Sequence, residues 1–126
     1  MLNHEAINEI KEVIKKLKYF NDMITSCNKK DDLLLRILCK QEVCNEIIRE
    51  SNNIRNVLIK HDILSTRPSI DKVLHKFLQT AYALANPFIT RYIKCEIDQF
   101  ELLSLEFNLS KSLGVLIKLL ENLVNQ

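Results

Sequence analysis

The sequence predicts an all-α protein in which four amphipathic helices pack as an antiparallel four-helix bundle. Four segments carry apolar residues at alternating spacings of three and four, which is the periodicity of one helix face. The chain has a single glycine among its 126 residues, whereas hairpins, barrels and phosphate-binding loops use glycine for positive φ angles. At this length we expect one domain, residues 1–126, with a core of its own.

The first predicted helix follows an apolar stripe that begins at Ala6 and ends at Cys27. The polar residues 28–30 break the pattern, so the helix should end there. Asp31 comes next, and an aspartate at that position can accept hydrogen bonds from the first free amides of the following helix. We therefore expect Asp31 to cap the second helix.

The second predicted helix covers an apolar pattern from Leu33 to Ile59. Ser51, Asn52 and Asn53 interrupt this pattern, and such side chains compete for backbone hydrogen bonds inside a helix. The alternative to a four-helix bundle is therefore a five-helix bundle, in which the second helix breaks near Ser51, Asn52 and Asn53.

The third predicted helix follows a connector at residues 65–69. Pro68 disfavours helix at the residue before it, and Ser69 can cap the helix that follows. The apolar face then continues to Ile89, with a kink expected at Pro87 because proline lacks a backbone donor.

The fourth predicted helix begins near Asp98 and places leucines at exact heptad intervals: Leu102, Leu109, Leu116 and Leu123. A parallel leucine zipper needs a narrow apolar seam. The stripe here is broader, because further leucines lie beside it. We interpret it as bundle core, with some apolar surface left for a second copy.

The cysteines and the hydropathy pattern predict a cytoplasmic protein without membrane contact. The four cysteines are Cys27, Cys39, Cys44 and Cys95. Their scattered spacing predicts reduced, buried thiols. No apolar run reaches the roughly eighteen residues that cross a bilayer.

The charge pattern argues against a strong nucleic-acid binder, because the formal net charge is only +2. Four lysines cluster in the first helix: Lys11, Lys15, Lys16 and Lys18. Neighbouring glutamates dilute this cluster, so we interpret it as a solvated helix face. Nucleic-acid binding through these lysines is kept as an alternative.

A second alternative comes from the run RNVLIKH, which contains Arg55, Asn56 and His61. It resembles the Arg-Asn-x-x-x-x-His pattern of the HEPN superfamily, helical bundles that include metal-independent RNases. The resemblance implies that His61 would act as a general acid and base while Arg55 holds phosphate charge, usually across a dimer interface. In that family the motif typically lies near the start of the final bundle helix, whereas here it ends the second.

A third pattern surrounds His75 in the run LHKFLQTA. It resembles the histidine-phosphotransfer domain, a four-helix bundle of similar size with an exposed phosphate-relaying histidine. That family usually has lysine and glycine where this chain has Leu78 and Gln79, so the pattern does not support a phosphorelay.

No other motif predicts catalysis, a metal site or a cofactor. Cys39 and Cys44 point away from each other on a helix, and none of the histidines follows a glutamate by three positions. We therefore expect a non-catalytic module that binds another protein or a second copy of itself. The candidate contact residues are Arg49, Arg55, Tyr82 and Tyr92, because arginine and tyrosine are favoured where binding energy concentrates.

Overall fold

The computed structural model describes residues 2–86 and 88–126. These residues form six helices and no strand, which confirms the all-α class. The six helices are α1 (His4–Cys27), α2 (Leu33–Lys60), α3 (Ile63–Thr66), α4 (Pro68–Leu84), α5 (Phe88–Ile93) and α6 (Gln99–Val124).

The four long helices close a ring in which each one packs on two others. α1 contacts α2 and α6, and α4 contacts the same two helices from the other side. α1 and α2 run antiparallel, since Lys60 at the end of α2 pairs with Glu5 at the start of α1. The short helices α3 and α5 lie against α2, at the links that precede and follow α4.

The core of the bundle is formed by the predicted apolar stripes. Three aromatic side chains, Phe20, Phe77 and Phe88, are fully buried. The heptad leucines Leu102, Leu109, Leu116 and Leu123 are buried as well. Their burial confirms that this stripe is bundle core, because a zipper seam would lie on the outside of the molecule.

α2 is continuous, so the alternative with a break near Ser51, Asn52 and Asn53 is not realised. Ser51 is buried, and its hydroxyl donates to the carbonyl oxygen of Ile48 at 2.7 Å. This bond satisfies the serine inside the helix instead of competing with it. α2 therefore runs the full length of the bundle.

Two predicted helix starts differ from the observed ones, that of α2 by one residue and that of α4 by two. Asp32, and not Asp31, caps α2, because its Oδ1 accepts from the amides of Leu34 and Leu35. α4 begins with Pro68 instead of after a Ser69 cap. Proline suits the first helical position, where its missing N–H has no helical partner in any case.

Ser65 and Thr66 belong to a helix and not to an open connector, since both lie in or at the end of α3. Their hydroxyls donate to the carbonyl oxygen of Asp62. The link between α2 and α4 is therefore a compact turn of helix.

The third predicted helix is divided in two. α4 ends at Leu84, and α5 begins at Phe88. The kink predicted at Pro87 falls on a residue outside the described part of the chain. The end of α4 agrees with the rule that helices stop at or before the residue that precedes a proline.

Two side chains of α2 hold the start of α5. The Gln41 oxygen accepts from the amide of Ile89 at 2.8 Å, and the Asn45 oxygen accepts from the amide of Asn86 at 3.3 Å. Helix-terminal amides have no partner within their own helix. Gln41, which is itself buried, therefore supplies a partner from α2.

An ion pair between buried Lys40 and half-buried Glu106 joins α2 to α6. The Lys40 ammonium, 6% exposed, contacts the Glu106 carboxylate. Removing one member of such a pair leaves an uncompensated buried charge. The pair therefore favours the rotation of α6 that keeps Glu106 beside Lys40.

The prediction of four reduced cysteines is wrong, because Cys27 and Cys39 form a disulfide. The bond joins the end of α1 to α2 across the short link between them, with the two Cα atoms 5.5 Å apart. Spacing along the chain did not reveal this pair, because the turn at residues 28–32 creates the proximity. Cys44 is a buried free thiol, and Cys95 is an exposed one.

We expect Leu109→Ala to lower the free energy of unfolding by about 2–5 kcal/mol, because the substitution leaves a cavity in the core. Leu35→Ala is the matched control, since Leu35 is exposed, and it should cost less than about 1 kcal/mol. Urea unfolding followed by circular dichroism measures both. Equal losses in the two variants would contradict the described core.

We expect alkylation of the denatured, unreduced protein to label only Cys44 and Cys95, and reduction to expose two further thiols. Cys27→Ser should lower the free energy of unfolding by about 3 kcal/mol, the usual effect of opening a short cross-linked loop. A reducing agent should destabilise the wild type but not Cys27→Ser. Labelling of all four cysteines before reduction would show that the bond is absent.

Candidate interaction surface

α6 carries a second apolar stripe on the side that faces away from the core. Phe100, Leu103 and Phe107 are 83%, 58% and 63% exposed. Their spacing of three and four residues places them on one face of the helix. We call these three residues the outer stripe. Contiguous exposed apolar side chains of this kind mark interaction sites more often than isolated ones do.

Beyond Phe107, the face of α6 that carries the outer stripe becomes polar and remains exposed. Lys111 follows Phe107 by one turn, and its Nζ lies 5.6 Å from the centroid of the Phe107 ring, within the range of a cation–π contact. Gly114 and Lys118 come next and are exposed. Apart from the adjacent backbone of α6, a Cβ atom at Gly114 would meet no atom of the described residues within 4 Å.

Sequence reasoning missed the outer stripe, although its spacing is visible in the run FELLSLEF. The heptad leucines of the same helix gave the stronger pattern. When one helix carries two apolar stripes, spacing alone does not show which stripe is buried, because the positions of the neighbouring helices decide which one is covered.

The structure brings together two of the predicted contact residues. Arg55 of α2 and Tyr82 of α4 line one shallow depression of about 450 Å³, together with His75. Arg49 lies elsewhere and pairs with Glu46. Tyr92 is half-buried against the core. Arg55 and Tyr82 therefore share a surface, whereas Arg49 and Tyr92 do not belong to it.

A second depression of about 470 Å³ lies on the other side of His75, between α4 and α6. Lys72, Lys76 and Lys111 line it, with Val73 and Val115 among the apolar residues. No acidic side chain of the described residues lines it, so this face of the bundle is locally basic. Gln79 lines both depressions beside His75, where a phosphotransfer domain usually has a small glycine.

The two residues of the HEPN-like pattern face different surfaces of the chain. Arg55 is exposed between α2 and α4. The His61 ring is only 9% exposed, and its Nε2 lies 2.8 Å from Oε2 of Glu9 on α1. Within one chain they do not form a site in which one residue holds phosphate while the other transfers a proton.

The lysine cluster of α1 is partly neutralised. Lys16 pairs with Glu50 at 2.6 Å, and Lys18 pairs with Glu121 at 2.9 Å. Lys11 and Lys15 remain exposed without an ion pair to the described residues. Two unpaired lysines on one helix are fewer than a protein uses to bind the phosphates of a nucleic-acid backbone.

The nucleophile and metal chemistry of the described residues is limited. Burial raises the pKa of Cys44 to about 12, so this thiol stays protonated near neutrality and is a poor nucleophile. Among the described residues, no three His, Cys, Asp or Glu side chains are grouped to hold a metal ion.

None of the described helices combines the length and the apolar character that a bilayer crossing requires. The expected cytoplasmic location stays a prediction.

Comparison with known proteins gave no match. The chain matches no protein-family model, no curated protein and no solved structure.

The contact between Glu9, Lys60 and His61 predicts a dependence of stability on pH. Hydrogen bonds from Lys60 and His61 lower the pKa of the Glu9 carboxyl. The folded chain thus binds this proton less tightly than the unfolded chain does. The contact stabilises the fold above the usual pKa of glutamate, and this stability is lost as pH falls through the lower pKa of the folded state.

We expect Glu9→Gln to destabilise the protein at neutral pH and to reduce the loss of stability on acidification. Glu12→Gln is the control, because Glu12 is exposed on the same helix and makes no ion pair with the described residues. Urea midpoints measured from neutral to acidic pH test this. A pH profile of Glu9→Gln that parallels the wild type would contradict the assignment.

Proposed function

We propose that this protein is a non-catalytic interaction module that binds a helix of another chain through the outer stripe of α6. The observation that carries the proposal is the exposure of Phe100, Leu103 and Phe107 on one face of a long helix. Burying a large apolar side chain stabilises a complex by roughly 1.5–3 kcal/mol. A partner that covers all three side chains of the outer stripe would therefore gain binding free energy from each of them.

The spacing of the outer stripe favours a helical partner. Residues one and two turns apart form the ridge that packs into the groove of a second helix. Aromatic residues are also enriched in the buried centres of interfaces. Both properties support contact with protein rather than with a small ligand, which usually needs a concave site.

The attachment of α6 to the bundle supports the same proposal. Glu106 lies between Leu103 and Phe107 in the chain, and its carboxylate is held by buried Lys40. The outer stripe is thus presented in a fixed orientation. A partner that binds a preorganised face loses less conformational entropy on binding.

The two alternatives find less support in the geometry. An RNase of the HEPN type needs Arg55 and His61 in one site, and His61 is held by Glu9 on the side of α1. Binding of nucleic acid through α1 needs its lysines free, and Lys16 and Lys18 are paired with carboxylates. We therefore propose the interaction module ahead of both.

We expect Phe107→Glu to weaken binding of the partner at least tenfold, because it places a charge in the centre of an apolar contact. Ile59→Glu is the matched control, since Ile59 is an exposed apolar residue of α2. Tagged wild type and both variants are cross-linked in native extract, and the captured proteins are quantified by mass spectrometry.

The proposal requires that Ile59→Glu captures the same proteins as the wild type while Phe107→Glu does not. Unfolding midpoints close to the wild type show that both variants remain folded. Capture that is unchanged in Phe107→Glu, or lost equally in both variants, would contradict a role for the outer stripe.

A further inference from the structure

We propose that the helix covering the outer stripe is α6 of a second copy of this chain. The two α6 helices pack antiparallel about a two-fold axis beside Phe107. Phe100 of each copy then lies over Gly114 of the other. This inference rests on the proposed function, because it uses the same face, and it adds the identity of the partner.

Gly114 is the first observation that points to a second helix. It is the only glycine of the chain, it lies inside α6, and it is exposed: apart from the adjacent backbone of α6, no atom of the described residues lies within 4 Å of a Cβ position there. Glycine weakens a helix interior relative to alanine. No described neighbour within the chain requires a missing side chain there, so the surface of α6 has a notch that a group from another molecule can enter.

The register of the two α6 helices follows from the positions of Phe100 and Gly114 relative to Phe107. Phe100 lies seven residues before Phe107, and Gly114 lies seven residues after it. In an antiparallel pair with its two-fold axis at Phe107, these two positions face each other. Each Phe100 ring therefore meets a gap, the two Phe107 rings meet each other, and Leu103 meets Lys111 of the other copy.

The charges along α6 favour the antiparallel direction. Asp98 and Glu101 are exposed at the start of the helix, whereas Lys111 and Lys118 are exposed in its second half. An antiparallel pair brings the acidic start of one helix towards the basic half of the other. A parallel pair would place like charges side by side, which is unfavourable. An isologous two-fold contact needs this kind of self-complementary surface.

The apolar area is adequate for a dimer. Two phenylalanines and a leucine with these exposures offer on the order of 400 Å² per copy, or on the order of 800 Å² in the pair. A standard interface buries about 1,600 Å² in total, of which somewhat more than half is apolar. The outer stripes therefore supply most of the apolar contact that a moderately stable dimer needs.

The first test fills the notch without weakening the helix. Gly114→Gln adds a neutral side chain with good helix propensity, so the fold should keep or raise its urea midpoint. The dissociation constant of the dimer should rise at least tenfold, because Phe100 of the other copy loses its place. Ser26→Gln is the control, since Ser26 is an exposed helical residue of α1.

The second test reports the direction and register of the two helices. Leu103→Cys and Lys111→Cys are made separately on a Cys95→Ser background, which removes the exposed free thiol. The antiparallel register predicts an intermolecular disulfide when the two variants are mixed and oxidised, with little cross-linking of either variant alone. A parallel pair would instead cross-link each variant with itself.

Sedimentation velocity of the wild type from low to high micromolar concentration completes the experiment. A dimer that Gly114→Gln dissociates and Ser26→Gln does not supports the inference, as does the mixed cross-link. A dimer that Gly114→Gln leaves intact overturns it. A strict monomer whose Phe107→Glu variant still loses a captured protein overturns self-association and leaves the proposed function standing. A strict monomer whose capture is unaffected by Phe107→Glu overturns both.

Discussion

The architecture depends on one constraint, which is that a helix in a closed ring of four can bury only the side that faces its two neighbours and the centre. α2 leaves Leu34, Leu35, Leu38 and Ile59 partly exposed, while α1 and α4 largely meet this limit with their single stripes. α6 exceeds this limit, because it carries buried leucines such as Leu109 on one side and the outer stripe on the opposite side. The apolar surface left over on α6 is therefore a consequence of closing the bundle and the origin of its proposed function.

Polar and covalent links between helices lie at the end of the bundle that holds the start of α6. The disulfide joins α1 to α2, Gln41 binds the start of α5, and buried Lys40 pairs with Glu106. These links add to the apolar packing of the core. The outer stripe thus projects from a rigid support, which lowers the entropic cost of binding.

The candidate site was only partly predictable from the sequence. Arg55 and Tyr82 were selected by residue type, and α2 and α4 do bring them together beside His75. The outer stripe was not selected, because Phe100 and Phe107 look like ordinary core residues until the position of α6 is known. Lys16 and Lys18 looked like free charges, and the carboxylates that pair with them come from α2 and α6. Such partners lie far away along the chain, so spacing cannot reveal them.

The sequence by itself determined the helical class, the four long segments and the face of each helix that enters the core, because these follow from a local periodicity of 3.6 residues. Only the tertiary structure decided that α2 stays continuous through Ser51, that Cys27 meets Cys39, and that His61 turns towards Glu9 instead of Arg55. The reason is physical: periodicity fixes the direction in which a side chain leaves its own helix. The helix that it meets depends on how all the stripes close together, and this closure leaves the outer stripe of α6 uncovered.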